Sequence, residues 1–211
     1  MTIAELERIQ AERNAERYGY AWLEAERGDL FWRWIGTGKK VLDIGCRDGQ
    51  LTRWYRAGNE VVGADVDEKA LQVATANWRL DGAWRIDLEA EWPWPAEWFD
   101  VVVAAEVLEH LRDPEQVVKR AFDVLRPGGV LIGSIPNGYN WRHTVRHVPQ
   151  SPDHKRRYRY SDLGPLLRPF PKAQIVPIGT LKRVALPTAL LRFCDPLVET
   201  WAFRCWREDA V

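Results

Sequence analysis

The sequence has few cysteines and places none of them close together. Its three cysteines, Cys46, Cys194 and Cys205, form no C-x-x-C pair. Small secreted scaffolds depend on closely spaced sets of cysteines, and C-x-x-C pairs are typical of zinc and redox sites. The cysteine pattern therefore argues against a disulfide framework and indicates a reducing compartment, for which we expect the cytoplasm.

The chain also lacks an excess of either charge and any long apolar run. Thirty Lys and Arg residues balance thirty Asp and Glu residues, so the formal net charge is zero. No overall field therefore attracts nucleic acid or an anionic membrane. No apolar run approaches the roughly 20 residues of a transmembrane helix, and the charged amino terminus does not match a signal peptide. We expect neither a membrane nor a nucleic acid as a partner.

The remaining composition is that of one globular domain preceded by a helical segment. With 211 residues, 46% of them hydrophobic, the chain is long enough to bury most of its apolar surface. Residues 2–27 carry apolar positions at helical spacing, which predicts one or two amphipathic helices. Gly28 and Asp29 predict a break before a further short helix. We therefore expect a helical cap over residues 1–36 and a single domain over residues 37–211.

The stretch 40–49 is the one around which the domain is organised. Its apolar run is interrupted by Asp43 and predicts a short strand, after which Gly45 and Gly49 bracket a tight turn. Glycine permits the dihedral angles of such a turn and lets the backbone approach a ligand closely. From Gln50 onward the spacing predicts a helix. A strand, a glycine turn and a helix form the opening unit of a sheet that binds a nucleotide-like ligand.

Strands and helices alternate along the chain after this unit. The helices are predicted to start at two capping aspartates, Asp67 and Asp113, the second of which is followed by Pro114. This alternation predicts an α/β fold, a doubly wound Rossmann-like sheet that is mostly parallel and has helices on both faces. The strands after the first one are predicted at 60–64, 83–86, 100–105 and 130–135.

Four acidic residues lie at or near the ends of the predicted strands. Because the carboxyl ends of parallel strands meet at one edge of the sheet, these side chains should lie at the same edge. Each could have a structural partner, such as a helix cap or a loop amide, but four at one edge indicate ligand binding. The residues are Asp43, Asp65, Asp87 and Glu106.

The chemistry of this edge favours an adenosine with a cationic or amino group. Asp65 follows the glycine turn by about twenty residues, a spacing that suits hydrogen bonds to ribose hydroxyls. Asp87 can accept from an exocyclic amine such as that of adenine. The glycine spacing is wrong for a pyrophosphate, and the nearby carboxylates Asp43 and Asp48 attract a cation or an amine rather than a phosphate.

Together these segments resemble the class I S-adenosylmethionine-dependent methyltransferases of the broad small-molecule group. The resemblance implies a sheet of seven strands with the last one antiparallel, the last two strands being supplied by 173–178 and 199–206. It implies S-adenosylmethionine as the cofactor and S-adenosylhomocysteine as the product. The matching segments are 41–49 (VLDIGCRDG), 61–67 (VVGADVD), 99–103 (FDVVV), 106–111 (EVLEHL) and 125–129 (LRPGG).

The resemblance also implies roles for single residues. Arg47 replaces a glycine that is usual in the first turn. Its side chain either points outward with the turn unchanged or reaches the cofactor carboxylate, and a third alternative is that it weakens binding. The matching positions are Asp43, Gly45 and Gly49 around the methionine part, Cys46 in the same turn, Asp65 at the ribose, Val66 and Leu88 beside the adenine, Asp87 at its amine, and Glu106 near the methionyl end.

The acceptor side of the site is less defined by the sequence. His110 is a candidate base or acceptor contact, and the alternative is a histidine that caps or packs the short helix after the fourth strand. The segment 137–172 is predicted to shape the acceptor pocket as a lid. His143 and His147 are four residues apart, but no further ligand joins them at a suitable spacing, so we predict no metal site.

The sequence thus predicts a methyltransferase that acts on a small-molecule acceptor, with a hydroxyl oxygen as the expected methyl acceptor. The alternative is a protein that binds the cofactor without catalysis and serves as a partner or regulator of a biosynthetic enzyme. A monomer or a homodimer is expected.

Overall fold

The computed structural model describes residues 3–14, 18–149, 151–179, 190, 193 and 195–208. No helix in these ranges is both long enough and apolar enough to cross a bilayer. The strands are β1 Lys40–Ile44, β2 Glu60–Asp65, β3 Gly82–Arg85, β4 Phe99–Ala105, β5 Leu125–Pro136, β6 Lys172–Ile178 and β7 Thr200–Trp206. The α-helices are α1 Ile3–Asn14, α2 Glu24–Ile35, α3 Arg53–Arg56, α4 Glu68–Trp78, α5 Pro114–Val124, α6 Trp141–Thr144 and α7 Tyr160–Leu166.

All seven strands form one sheet in the order β3-β2-β1-β4-β5-β7-β6. The strands β1 to β5 pair in parallel, and β7 pairs antiparallel with both β5 and β6. This confirms the predicted seven-stranded sheet with its last strand antiparallel. The order reverses direction at β1, which places the switch point of the sheet between β1 and β4, where ligands of such folds bind.

The central strands are buried on both faces, as their continuous apolar runs predict. Val103 packs on one face with Phe31 of α2 and Tyr55 of α3. On the other face Val102 packs with Val117 of α5 and with residues of α7. Because successive strand residues point to opposite faces, one short run of valines supplies both cores.

The predicted capping residues start their helices as expected. Asp67 accepts a hydrogen bond from the amide of Ala70 at 3.1 Å at the start of α4. Asp113 accepts one from the amide of Gln116 at 3.0 Å, and Pro114 occupies the first turn of α5. These aspartates satisfy amide groups that have no partner within the helix.

Several predicted boundaries were wrong. The break at Gly28 is absent, and α2 runs through it to Ile35, because the missing side chain makes room for the ring of Trp54 rather than for a turn. The helix expected from Gln50 is reduced to the single turn of α3, since irregular turns fill the preceding residues. β3 starts at Gly82, one residue earlier than predicted.

The turn predicted at 126–129 is an irregular part of β5. Leu125 already pairs with Phe99 of β4, and the register between β4 and β5 shifts before Val130 pairs with Val101. Extra residues on one strand of a pair produce a bulge that bends the strand. The Pro-Gly-Gly sequence therefore marks a bulge within β5 and not its beginning.

Candidate functional site

A cavity of about 720 Å³ opens at the carboxyl-terminal edge of the sheet. Its walls come from the segment before α2, from the ends of β1, β2 and β4, and from the chain after β5. Gly49 is not among the wall residues of this cavity in the described part of the chain. The other predicted site residues line it: Asp43, Gly45, Cys46, Asp65, Val66, Asp87, Leu88, Glu106 and His110.

The turn after β1 requires glycine for two separate reasons. Gly45 and Gly49 have φ angles of +70° and +75°, a region that residues with a side chain rarely adopt. A Cβ atom on Gly45 would also lie 2.6 Å from a methyl group of Val107, and one on Gly49 would lie 2.6 Å from the ring of Trp78. Gly49 therefore shapes the turn from behind, which explains why it does not face the cavity.

Arg47 adopts a left-handed backbone conformation in this turn although it is not glycine. Its φ angle is +49°, and its guanidinium group donates to Asp48 Oδ1 at 3.1 Å and to the carbonyl of Tyr20. Asp48 in turn accepts from the amide of Gly19 at 2.6 Å. The side chain thus ties the turn to the segment that leads into α2. The sequence did not indicate this contact.

The carboxyl group of Asp43 is buried and hydrogen-bonded beneath the turn. Its Oδ2 atom accepts from the hydroxyl groups of Thr52 at 2.5 Å and Tyr55 at 2.6 Å. Burial raises the pKa of Asp43 to about 6, and the charge of Asp65 raises it further, while the two hydroxyl groups lower it. The hydroxyl groups support the ionised form but do not fully compensate for the loss of water.

Asp65, at the end of β2, is held by the backbone. Its Oδ2 accepts from the amide of Arg47 and its Oδ1 from the amide of Asp67, both at 2.9 Å. Burial raises the pKa of Asp65, and these amide hydrogen bonds oppose that rise. Asp87, beyond β3, accepts from the amide of Glu89 at 2.9 Å. Both carboxyl groups are therefore fixed in orientation at the wall of the cavity.

The far wall of the cavity begins at Glu106, which directly follows β4. Glu106 has a φ angle of +53°, and its Oε1 lies 3.9 Å from Nη1 of the buried Arg27. The same Nη1 donates to Ser134 Oγ at 3.2 Å. Burial raises the pKa of Glu106, and the positive charge of Arg27 lowers it. Arg27 thus connects α2 with the ends of β4 and β5, a role that the sequence did not reveal.

His110 belongs to a cluster that two loops build together. The carbonyl of Glu109 accepts from the amide of Lys155 at 2.9 Å, which joins the loop after β4 to the chain after β5. His110 Nδ1 lies 3.0 Å from Asp153 Oδ2, and its ring packs edge-on against that of His154 with 4.9 Å between centroids. Glu109, His110, Asp153 and His154 all line the cavity.

The sequence patterns predicted no role for Glu109, Asp153 or His154. A signal was nevertheless present, because Glu109–His110 and Asp153–His154 are two acid–histidine pairs that follow neighbouring strands. The pair that was considered for a metal is not part of this cluster. His143 lines the same cavity, and its Nδ1 is 2.7 Å from the carbonyl of Val148, whereas His147 is exposed.

The comparisons with known proteins agree with this arrangement. Residues 42–133 match the family model described as a methyltransferase domain. The ubiquinone biosynthesis O-methyltransferase of Escherichia coli O9:H4 (strain HS) is 36% identical over 153 residues, which cover 65% of this chain and 60% of that protein. That of Pseudomonas fluorescens (strain SBW25) is 34% identical over 143 residues, or 61% of this chain and 62% of that protein. The chain spans 51% to 62% of the length of such curated relatives.

Solved structures share the fold at lower sequence identity. A SAM-dependent methyltransferase from Archaeoglobus fulgidus superposes with a TM-score of 0.67 and 16% identity, covering 87% of this chain and 92% of that one. A second structure is that of a Haloferax volcanii protein described as a methyltransferase, in complex with the Trm112 methyltransferase activator. It superposes with a TM-score of 0.68 and 15% identity, covering 100% of this chain and 99% of that one. Residues 42–133 thus match the methyltransferase-domain family, and the seven-stranded sheet is the fold of solved S-adenosylmethionine-dependent methyltransferases.

Proposed function

We propose that this chain transfers the methyl group of S-adenosylmethionine to a hydroxyl oxygen of a small-molecule acceptor. The observation that carries the proposal is one cavity that is lined by two chemically different groups of residues. The buried carboxyl groups of Asp43 and Asp65 form one group, which we call the cofactor end, and His110 in contact with Asp153 forms the other, which we call the acceptor end. Such a cavity can seat a cofactor and an acceptor side by side, which is the main requirement of a displacement reaction.

The cofactor end is matched in shape and charge to a cationic adenosine. The fixed carboxylate of Asp65 suits the ribose hydroxyls, and Asp87 suits the adenine amine, with Val66 and Leu88 against the ring. Asp43, Gly45 and Cys46 would surround the methionine part, and Glu106 would lie near its end. When bound, the cofactor supplies an electrophilic methyl group on a positively charged sulfur. The acidic wall favours that charge because the protein has already excluded much of the water.

The acceptor end supports a hydroxyl group as the methylated atom. With Nδ1 directed at Asp153, the imidazole of His110 leaves Nε2 to take up the proton of a hydroxyl group that attacks the methyl carbon. The relatives named as ubiquinone biosynthesis O-methyltransferases also favour oxygen.

Two segments of the chain border different parts of the cavity. We propose that residues 1–36 act as a helical cap on the cofactor and that residues 137–172 shape the acceptor pocket. Tyr20 and Trp22 contribute to the wall on the first side, and Asn140 and Arg142 contribute to it on the second. Arg142 also lies over the ring of Trp22 at 5.3 Å, so the two segments meet above the cavity.

Calorimetry with S-adenosylmethionine and S-adenosylhomocysteine tests the cofactor end. We expect Asp65→Ala to weaken binding at least about tenfold, since it removes hydrogen bonds to a charged acceptor. Asp123→Asn alters an exposed carboxylate on α5 that pairs with Lys119, and should leave the affinity unchanged. Equal affinities for Asp65→Ala and the wild type would refute the assignment.

Turnover tests the acceptor end with a panel of phenols, quinols and sugar hydroxyls. His110→Ala should bind the cofactor normally and lose about 10²- to 10⁴-fold in rate. His147→Asn should retain full activity.

The second candidate is a cofactor-binding partner or regulator without catalysis. The likeness to a Haloferax volcanii methyltransferase in complex with an activator favours a test of association with other proteins. Normal cofactor affinity together with no methyl transfer to the panel or to any fraction of a cell extract would support this candidate over the first.

A further inference from the structure

Three side chains at the acceptor end converge in a way that cofactor binding does not use. One ligand atom each from Glu109, His110 and His154 lies within 4.8 Å of the other two. Glu109 and His110 follow β4, and His154 follows β5, so the tertiary structure and not the sequence spacing brings them together. Two imidazoles and one carboxylate form the donor set of many catalytic metal sites.

Glu109 supplies an independent reason to expect a ligand. Its side chain is only 2% exposed, and neither of its carboxylate oxygens has a hydrogen-bond partner among the described residues. Its Oε1 lies 3.7 Å from His110 Nε2, which is beyond hydrogen-bond length. A buried carboxyl group without a partner is costly. Because Glu109 borders the cavity, a cation that enters there would compensate for its burial.

Asp153 completes the arrangement from behind. Nδ1 of His110 is hydrogen-bonded to the carbonyl oxygen of Asp153 at 3.3 Å and lies 3.0 Å from its Oδ2. A proton on Nδ1 leaves the lone pair of Nε2 on the side of Glu109. Histidines that bind metals commonly donate their second ring N–H to a carboxylate or a backbone carbonyl, which fixes the tautomer and the ring orientation.

We propose that Glu109, His110 and His154 bind one divalent cation, of the class that includes Zn²⁺, Co²⁺ and Mn²⁺, at the acceptor end of the cavity. Atoms that share such a cation at about 2.1 Å lie roughly 3 to 4 Å from one another. The cluster therefore contracts slightly on binding and leaves coordination positions open towards the cavity. This site departs from the absence of metal predicted from the sequence.

The role of the cation rests on the proposed function, whereas its binding does not. A hydroxyl group bound at an open position would have its pKa lowered by the cation and would lose its proton to water. The oxygen then forms a bond to the methyl carbon, and the sulfur keeps the electron pair of the broken carbon–sulfur bond, which leaves S-adenosylhomocysteine. In this state His110 Nε2 is a ligand, and the cation replaces the histidine as the group that promotes deprotonation.

The test is a titration of chelator-treated protein with Co²⁺, followed by visible absorption, in the absence of any acceptor. The wild type should bind one equivalent. Glu109→Gln and His154→Ala should each lose more than about tenfold in affinity, and Asp153→Asn about 10- to 100-fold. His147→Asn is the matched control, because it removes an exposed imidazole outside the cluster and asparagine tolerates the positive φ of 51° at that position.

Calorimetry with S-adenosylhomocysteine shows that each variant is folded. Loss of Co²⁺ affinity in the cluster variants, with cofactor affinity kept and His147→Asn unchanged, supports the site. Equal Co²⁺ affinity in all proteins, or no binding by the wild type, overturns it. Methyl transfer that survives chelation while Co²⁺ still binds to the cluster would assign the proton to His110 and refute the catalytic role of the cation. Failure of methyl transfer under every condition would refute the proposed function and leave the binding result intact.

Discussion

Asp43 in β1 and Arg47 in the turn that follows it both adopt energetically unfavourable states. Asp43 is a carboxyl group in a place with little water, and Arg47 holds a backbone conformation that suits glycine. Strain and unfavourable burial at the same turn are typical of a site organised for a ligand rather than for stability.

Asp43 makes the stability of the free protein depend on pH in a definite direction. Its pKa rises from an ordinary 3.8 to about 6 in the folded state, so the folded protein binds the proton more tightly than the unfolded chain. The contribution to stability is full below pH 4 and is lost as the pH rises through 6. Since one pKa unit corresponds to about 1.4 kcal/mol, the loss is about 3 kcal/mol.

Urea unfolding of the wild type and of Asp43→Asn between pH 4 and 8 isolates this group. We expect the wild type to lose about 2 kcal/mol relative to the variant across pH 4 to 6, with a constant difference above pH 7. Other acidic residues titrate in both proteins and cancel. A difference that does not change with pH would show that Asp43 titrates normally.

Arg47 allows a direct measurement of backbone strain. Arg47→Gly and Arg47→Ala both remove its hydrogen bonds, but only glycine adopts a φ of +49° without cost. The glycine variant should therefore be more stable than the alanine variant by about 1 kcal/mol in urea unfolding. At Arg33, in the exposed part of α2, the order should reverse, with glycine less stable by about 0.5–1 kcal/mol. The same order at both positions would contradict the strain at Arg47.

At the scale of elements, the packing of α3 on α2 fixes the position of the amino-terminal helix against the domain. The ring of Trp54 lies against the backbone of α2 at Gly28, where a Cβ atom would be 2.3 Å from the ring. Trp54 Nε1 also donates to Glu24 Oε1 at 3.0 Å. Gly28 thus allows close packing inside a continuous helix. It does not break the helix, although the sequence predicted a break.

Gly28→Ala should therefore destabilise the protein although alanine favours helices. We expect a loss of about 1–3 kcal/mol in unfolding free energy, because the extra methyl group overpacks the contact. In the background of Trp54→Ala the same change should become neutral or stabilising by up to about 1 kcal/mol, as helix propensity alone then acts. Equal effects in the two backgrounds would show that Trp54 is not the cause.

At the scale of the whole molecule, Arg27 joins the amino-terminal helix to the sheet beneath the cavity. Its guanidinium group contacts the carbonyl of Trp22 at 2.7 Å, Ser134 on β5, and Glu106 after β4. Three parts of the chain that are far apart in sequence therefore depend on one buried charge. Removal of one member of such a network leaves the other charge buried without compensation.

Arg27→Ala should reduce the free energy of unfolding by about 3 kcal/mol or more for this reason. In a Glu106→Gln background the loss should be smaller, since no carboxylate is then left without its partner. Arg33→Ala in the same helix breaks an exposed pair with Asp29 and should cost less than about 1 kcal/mol. Thermal and urea unfolding of the wild type, the three single variants and the double variant provide the measurement, and equal losses for Arg27→Ala in both backgrounds would exclude the link to Glu106.

The sequence alone determined the sheet, its capping aspartates and the acidic residues along its edge. These features are local: an apolar run, a glycine or an aspartate at a strand end acts through neighbours within a few residues, and the rules of chain crossover then place the strand ends together. The positions of Asp43, Asp65 and Asp87 at one cavity could therefore be predicted, although their roles remain predictions.

Only the tertiary structure decided which distant residues meet. The bond from Arg47 to Tyr20, the burial of Arg27, the fit of Trp54 on Gly28 and the cluster of Glu109, His110 and His154 all join segments separated by tens of residues. Such contacts depend on side-chain packing and on the path of loops, which no short-range pattern encodes. For this reason the cofactor end of the site was predictable from the sequence, and the chemistry of the acceptor end was not.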